Sequence, residues 1–134
     1  MLHSHNIFTA ALSLTATFAS FACSAEQTIS FNRDVRPILS RHCFACHGSD
    51  ENSREADLRL DTFEGATSGD GTAAISPGDL DESELWKRIN SSEPDVVMPP
   101  ADEHEPLSQK DKQTLRLWIL DGAKYEQHWS FIKP

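Results

Sequence analysis

Cys43, Cys46 and His47 stand together in RHCFACHGSD, residues 41–50: two thiols three positions apart, with an imidazole directly after the second. A triplet of this kind can do three kinds of chemistry. It can hold a metal ion, cycle between dithiol and disulfide, or take a covalently attached haem. Each reading makes its own demand on the rest of the chain.

A dithiol–disulfide pair belongs where a strand enters a helix in an α/β fold, with the first thiol at the helix N-terminus to lower its pKa. Here the motif follows a helix-like segment, and no parallel-strand pattern surrounds it. A structural zinc site needs four N or S ligands, and this triplet supplies at most three. His104 or His128 would have to complete it, and His47 would have to bend back beside Cys46. The haem reading accounts for the spacing itself. Two thiols on adjacent turns can each add to a vinyl group of one porphyrin, and the next imidazole then lies under the iron.

That reading requires a second axial ligand. Apart from Met1 the chain has one methionine, Met98, set in VVMPP about fifty residues downstream of the motif. Proline holds the residue before it in extended conformations, and Pro99 with Pro100 stiffens the segment after it, so the thioether is presented from a loop of low flexibility. A lone methionine outside such a setting reads as core filler. His42 is too close to the attachment to reach the iron and suits a surface or propionate-contacting position. His104, in DEHEP, is the substitute ligand, and His128 lies past the last helix with no haem role expected.

Elements must deliver these side chains. SFNRDVRPILSRH (30–42) puts Val35, Ile38 and Leu39 at helical spacing, with Ser30 or Asn32 available as a cap and Pro37 in the first turn. The stretch from Gly48 to Gly78 reads mostly as loop, with order expected only at ADLRLD and the Thr62–Phe63 pair. DESELWKRIN (81–90) predicts a second helix from Asp81, with Leu85, Trp86 and Ile89 as its apolar stripe. The four prolines of SSEPDVVMPPADEHEPL forbid a helix there. A third helix starts at Ser108, with Asp111 as its partner in a capping box, carries Leu115, Trp118 and Ile119 on one face, and stops at Gly122. Three short helices with long loops give a thin apolar inventory, and a haem would supply the missing volume. Trp86 and Trp118 are candidate pocket walls or plain core; Arg36, Arg54 and Arg59 are candidate propionate partners, with a solvated face as the ordinary account of each.

The first twenty-five residues contain no Lys, Arg, Asp or Glu, and Ile7 to Ala22 is dominated by Ala, Leu, Phe, Thr and Ser. This predicts a secretory signal (1–25) rather than a membrane span, with His3 and His5 standing where basic residues are usual. Cleavage after Ala25 leaves a domain over 26–124 and a tail or linker over 125–134. Lipidation of Cys23 is the alternative, and would anchor the protein to a membrane. Export to the periplasm or cell surface follows in both cases, which suits haem attachment. The net charge of −9 falls wholly after residue 25, and twelve basic residues are diluted among twenty-one acids. That balance argues against nucleic acid as a partner. It fits solubility, or steering toward a basic redox partner.

Taken together, SFNRDVRPILSRHCFACHG, READLRLD, ISPGDLDESELWKRI, MPP and LRLWILDGA, spread over Ser30 to Ala123, resemble the planctomycete-type cytochrome c domain. The resemblance implies a mostly α fold: a small cytochrome c-like helical domain around one covalently attached haem, with long Gly- and Pro-containing loops. Its N- and C-terminal helices are expected to pack near one another. It implies Cys43 and Cys46 as thioether attachment points, His47 as proximal ligand and Met98 as distal ligand, with one haem c and its iron per chain. Proteins carrying this domain usually continue past an HWSFIKP-like segment into further domains, whereas this chain stops at Pro134. The expected function is one-electron transfer between a redox protein donor and acceptor, without substrate turnover. The alternatives are an open distal site acting as sensor or weak peroxidase, and the redox module of a larger multidomain enzyme.

Overall fold

The protein is described here by a computed structural model over residues 28–68, 73–102 and 105–127. The expected signal segment with Cys23, and also His104 and His128, lie outside these residues. The domain is small and mostly helical, and among the described residues no strand forms beyond an isolated bridge between Ser76 and Asp79.

The first predicted helix is present, but it opens with a π-helical turn, Phe31–Val35, that runs directly into α1, Arg36–His42. Pro37 accounts for the widening. It has no N–H to donate, and in a regular α-turn its ring would strike the carbonyl four residues back. The wider turn avoids this, with the Arg36 N–H reaching back to the Phe31 carbonyl. Val35 and Leu39 are fully buried and Ile38 nearly so, as their spacing predicts. The cap differs from expectation. Neither Ser30 nor Asn32 supplies one; instead the Glu126 carboxylate, from the far end of the chain, accepts from the Phe31 N–H (3.0 Å), the Asn32 N–H (3.4 Å) and the Ser30 hydroxyl (3.2 Å).

The loop after the Cys motif contains one more helix than its composition suggests. α2, Phe63–Thr67, is a single turn capped by Thr62, whose hydroxyl accepts from the Gly65 N–H at 3.1 Å. Ala66 on its inner side is fully buried. Gly65 is needed for the approach, since a Cβ there would sit 2.6 Å from Cβ of Arg59.

α3, Glu84–Ile89, begins three residues later than the sequence predicts. The Asp79 carboxylate takes the N–H groups of Asp81 and Glu82 (2.9 and 3.1 Å), which holds that stretch as a turn. Ahead of it, Pro77 and Gly78 form a tight turn, with Gly78 at φ +84° and its N–H on the Ile119 carbonyl at 2.7 Å. Ser83 is fully buried and fully satisfied: its hydroxyl accepts from the Ser76 N–H (2.9 Å) and shares its proton between the Ser76 and Asp79 carbonyls (3.1 and 2.5 Å).

α4, Gln109–Leu120, matches its prediction at both ends. The Ser108 hydroxyl accepts from the Asp111 N–H at 3.1 Å and donates to the Asp111 carboxylate at 2.8 Å. At the other end Gly122 has φ +94°, its N–H bonds the Ile119 carbonyl, and the Ala123 N–H reaches Trp118. This is the paired bonding by which a left-handed glycine closes a helix. Leu115, Trp118 and Ile119 face inward.

The terminal elements pack together through aromatic rings. Phe31 stands 5.7 Å from Trp118 and 4.5 Å from Tyr125, while Trp118 and Tyr125 meet edge-on at 5.2 Å between centroids. The polar ends of these rings are satisfied: Trp118 Nε1–H donates to the Lys124 carbonyl and the Tyr125 hydroxyl to the Leu60 carbonyl, each at 2.9 Å. Burial and nearby negative charge hold the Tyr125 phenol well above its ordinary pKa, so it remains a donor at any physiological pH.

Candidate haem-binding site

α1 ends at the Cys motif. The N–H groups of Cys43 and Phe44 both turn back to the Leu39 carbonyl, at 2.8 and 2.9 Å, and the His47 N–H then bonds the Cys43 carbonyl at 2.8 Å. The motif thus makes one further coiled turn after the helix. Gly48 comes next, in a buried position where a Cβ would run into the Phe44 carbonyl, which explains a glycine directly after His47.

The loop from Gly48 to Leu60 wraps back over this turn. Glu55 N–H donates to the Cys46 carbonyl at 2.7 Å, and Leu60 N–H to the His47 carbonyl at 2.8 Å. Between them, His47 Nδ1 lies 3.2 Å from the Glu55 carbonyl oxygen. Because a carbonyl only accepts, Nδ1 carries the proton, which leaves Nε2 with its lone pair free to bind a metal. Arg54 stiffens the same loop from within: Nε and Nη2 donate to the Gly48 and Ser49 carbonyls at 3.1 and 3.2 Å.

Cys43, Cys46, His47 and Met98 all line one cavity of about 250 Å³. Its walls are almost wholly apolar, built from Ala56, Leu58 and Leu60 on one loop, Ala74, then Leu85 and Ile89 on α3, with Pro99 and Pro100 beside Met98. Met98 is placed by α3 as well as by its prolines, because its N–H donates to the Arg88 carbonyl at 3.2 Å. Cys43 and Cys46 are free thiols, and burial, reinforced by the neighbouring Cys46, pushes the Cys43 thiol up to about 12. Both sulfurs are available at the wall of the cavity, and Cys43 is protonated at neutral pH.

Several expectations about the wall need correction. Trp86 and Trp118 do not line the cavity: Trp118 belongs to the aromatic cluster, and Trp86 packs half-buried against the core. Their neighbours Leu85 and Ile89 take that place. Nor do the three arginines singled out reach it. Arg54 serves the loop carbonyls, Arg59 pairs with Asp61 at 2.6 Å, and Arg36 borders a separate shallow cleft. The cation that does line the cavity is Arg88, with Glu84 one turn before it. Sequence reasoning missed both, although their i, i+3 and i−1 spacing from Leu85 places them at the edge of the same stripe. His42 also borders the cavity. Among the described residues no three His, Cys, Asp or Glu side chains form a metal-ion cluster; His104 and His128, the expected completing ligands of a zinc site, lie outside them.

The residues fit a haem: an apolar chamber for the macrocycle, two thiols at its wall, an imidazole with Nδ1 held by a carbonyl, and a thioether lining the same chamber. Such a helical domain is of the cytochrome c type. A family model described as Planctomycete cytochrome C matches residues 43–102, a span that runs from Cys43 past Met98, so this part of the chain is similar to that domain type. No curated protein and no solved structure matches the chain.

Proposed function

We propose that the protein is an exported monohaem c-type cytochrome that passes single electrons between redox proteins. The observation that carries this reading is that the CxxCH triplet and Met98, about fifty residues apart in sequence, line the same apolar cavity. Cys43 and Cys46 would hold the haem through thioether bonds, with His47 and Met98 as its axial ligands. When bound, the haem iron supplies one-electron exchange, at a potential raised by methionine ligation.

The chain's own residues do the rest. The Glu55 carbonyl fixes the tautomer and ring orientation of His47. The Arg88 carbonyl and the flanking prolines hold Met98 in one place, so that little rearrangement accompanies a change of charge. Leu58, Leu60, Leu85 and Ile89 give the chamber its apolar wall.

The test is the ferric absorption spectrum of protein matured with a c-type attachment system, wild type against Met98→Ala. The expected result is a weak long-wavelength sulfur-to-iron band in wild type that disappears in the variant. Attached haem lacking that band in wild type, with rapid carbon monoxide binding by the reduced protein, would replace the closed carrier with an open site. Failure of haem to attach would remove the reading altogether.

A further inference from the structure

An apolar chamber that takes a haem must also receive two carboxylates, because the propionates are the charged end of an otherwise apolar macrocycle. A carboxylate brought against such a wall is costly unless it is hydrogen-bonded and paired. The cavity wall offers few polar side chains besides the Cys motif itself: His42, Glu84 and Arg88. Arg54 and Arg59, the other arginines near the Cys loop, do not line it and are committed to the Gly48 and Ser49 carbonyls and to Asp61.

Arg88 has donors in reserve. Its Nε bonds Glu84 Oε1 at 3.0 Å, and its two Nη groups make no hydrogen bond to the described residues. Guanidinium is a planar fork with five N–H donors, so one edge can stay on Glu84 while the other takes a second carboxylate. Glu84 is itself supported from the far side, with Lys87 Nζ 4.0 Å from Oε2, so sharing Arg88 does not leave it unpaired. The side chains of Arg88 and Glu84 are 39% and 31% exposed, which puts them at the mouth of the chamber rather than at its floor.

We propose that Arg88 is the positioning residue for the haem carboxylates, binding a propionate through its Nη groups while Glu84 holds Nε. The pair thereby sets the local charge felt by the iron. This inference rests on the haem reading of the same cavity. Because the Arg88 main-chain carbonyl holds the Met98 N–H, side-chain variants leave that anchor in place. Charge and ligand geometry can therefore be tested apart.

The experiment measures the reduction potential of haem-loaded wild type, Arg88→Gln, Arg88→Lys and Glu84→Gln by spectroelectrochemical titration, with the methionine-to-iron band recorded alongside. Loss of a positive charge beside the iron disfavours the reduced state, and loss of a negative charge favours it. The expected result is a lower potential in Arg88→Gln, a higher one in Glu84→Gln and a near-native one in Arg88→Lys, with the band retained in all three. Shifts of the same sign in Arg88→Gln and Glu84→Gln would mark general loosening and overturn the proposal, as would unmoved potentials. Should Arg88→Gln fail to retain haem, the other two variants decide: a raised potential in Glu84→Gln with a native Arg88→Lys supports it, and an unchanged Glu84→Gln overturns it. Absence of attached haem from wild type would overturn the haem reading and this inference with it, whereas attached haem with unmoved potentials overturns the inference alone.

Discussion

Single residues in this site act mainly by fixing their neighbours. Gly48 is the sharpest case, because a side chain there has nowhere to go: the obstacle is the backbone carbonyl of Phe44 in the turn that presents both cysteines. Gly48→Ala must therefore displace either the Cys turn or the loop that holds Nδ1 of His47. We expect a loss of about 1–3 kcal/mol in urea unfolding, the range for forcing atoms into a packed position, together with a lower fraction of chains carrying haem. Native stability and full haem loading in the variant would show that the turn is more pliable than its contacts imply. At this scale the sequence is informative about which residues come together and less so about their surroundings. Cys43, Cys46, His47 and Met98 were chosen by residue type and spacing, and all four line one cavity. The wall was not legible, because a stripe of Leu85, Trp86 and Ile89 does not say which edge meets the cavity, and Arg88 is one cation among twelve basic residues in a linear reading.

At the scale of elements, what was legible depended on whether the determinants were local. α4 carries its start signal in Ser108 and Asp111 and its stop signal in Gly122, so both ends were readable. The delayed start of α3 reflects a competing local bond, from the Asp79 carboxylate to two following N–H groups. The order expected at Thr62–Phe63 is the start of α2, but its helical form is not legible because its cap, Thr62, is one polar residue in a polar loop. The cap on the first helical turn could not be read at all, since Glu126 reaches it only after the chain has folded back on itself. The two kinds of cap give a comparison. Ser108→Ala and Glu126→Ala should each cost about 0.5–2 kcal/mol, as caps commonly do, measured by denaturant unfolding of the haem-loaded protein. Glu126→Ala should in addition loosen the contact between the chain ends, read as faster amide exchange at Phe31. Equal exchange at Phe31 in both variants would show that the Glu126 bonds do not hold that turn.

The whole molecule is tied together through Leu60. Its N–H is on the His47 carbonyl, its own carbonyl takes the Tyr125 hydroxyl, and its side chain lines the cavity, so the haem site and the aromatic cluster share one residue. Arg59 and Asp61 flank it as an ion pair, 2.6 and 3.0 Å between their polar atoms. The bond from Arg59 holds the Asp61 carboxyl below its ordinary value, and Asp34 is lowered in the same way by Arg33, while Asp50 is lowered by the Asn52 N–H. A carboxyl whose folded pKa lies below its unfolded one favours the folded state once the unfolded chain has ionised, near pH 4. That contribution is lost as pH falls through the folded value. Asp61 is the one of the three adjacent in sequence to Leu60, and its share can be isolated by comparing wild type with Asp61→Asn in urea unfolding of the haem-loaded protein between pH 2 and 6. Above pH 5 the difference between the two should be constant, with wild type the more stable; below pH 4 it should shrink toward zero as Asp61 takes up its proton. A difference that stays constant through the acid range would mean that the pair contributes shape rather than charge, and that Leu60 is held by packing and its two backbone bonds alone.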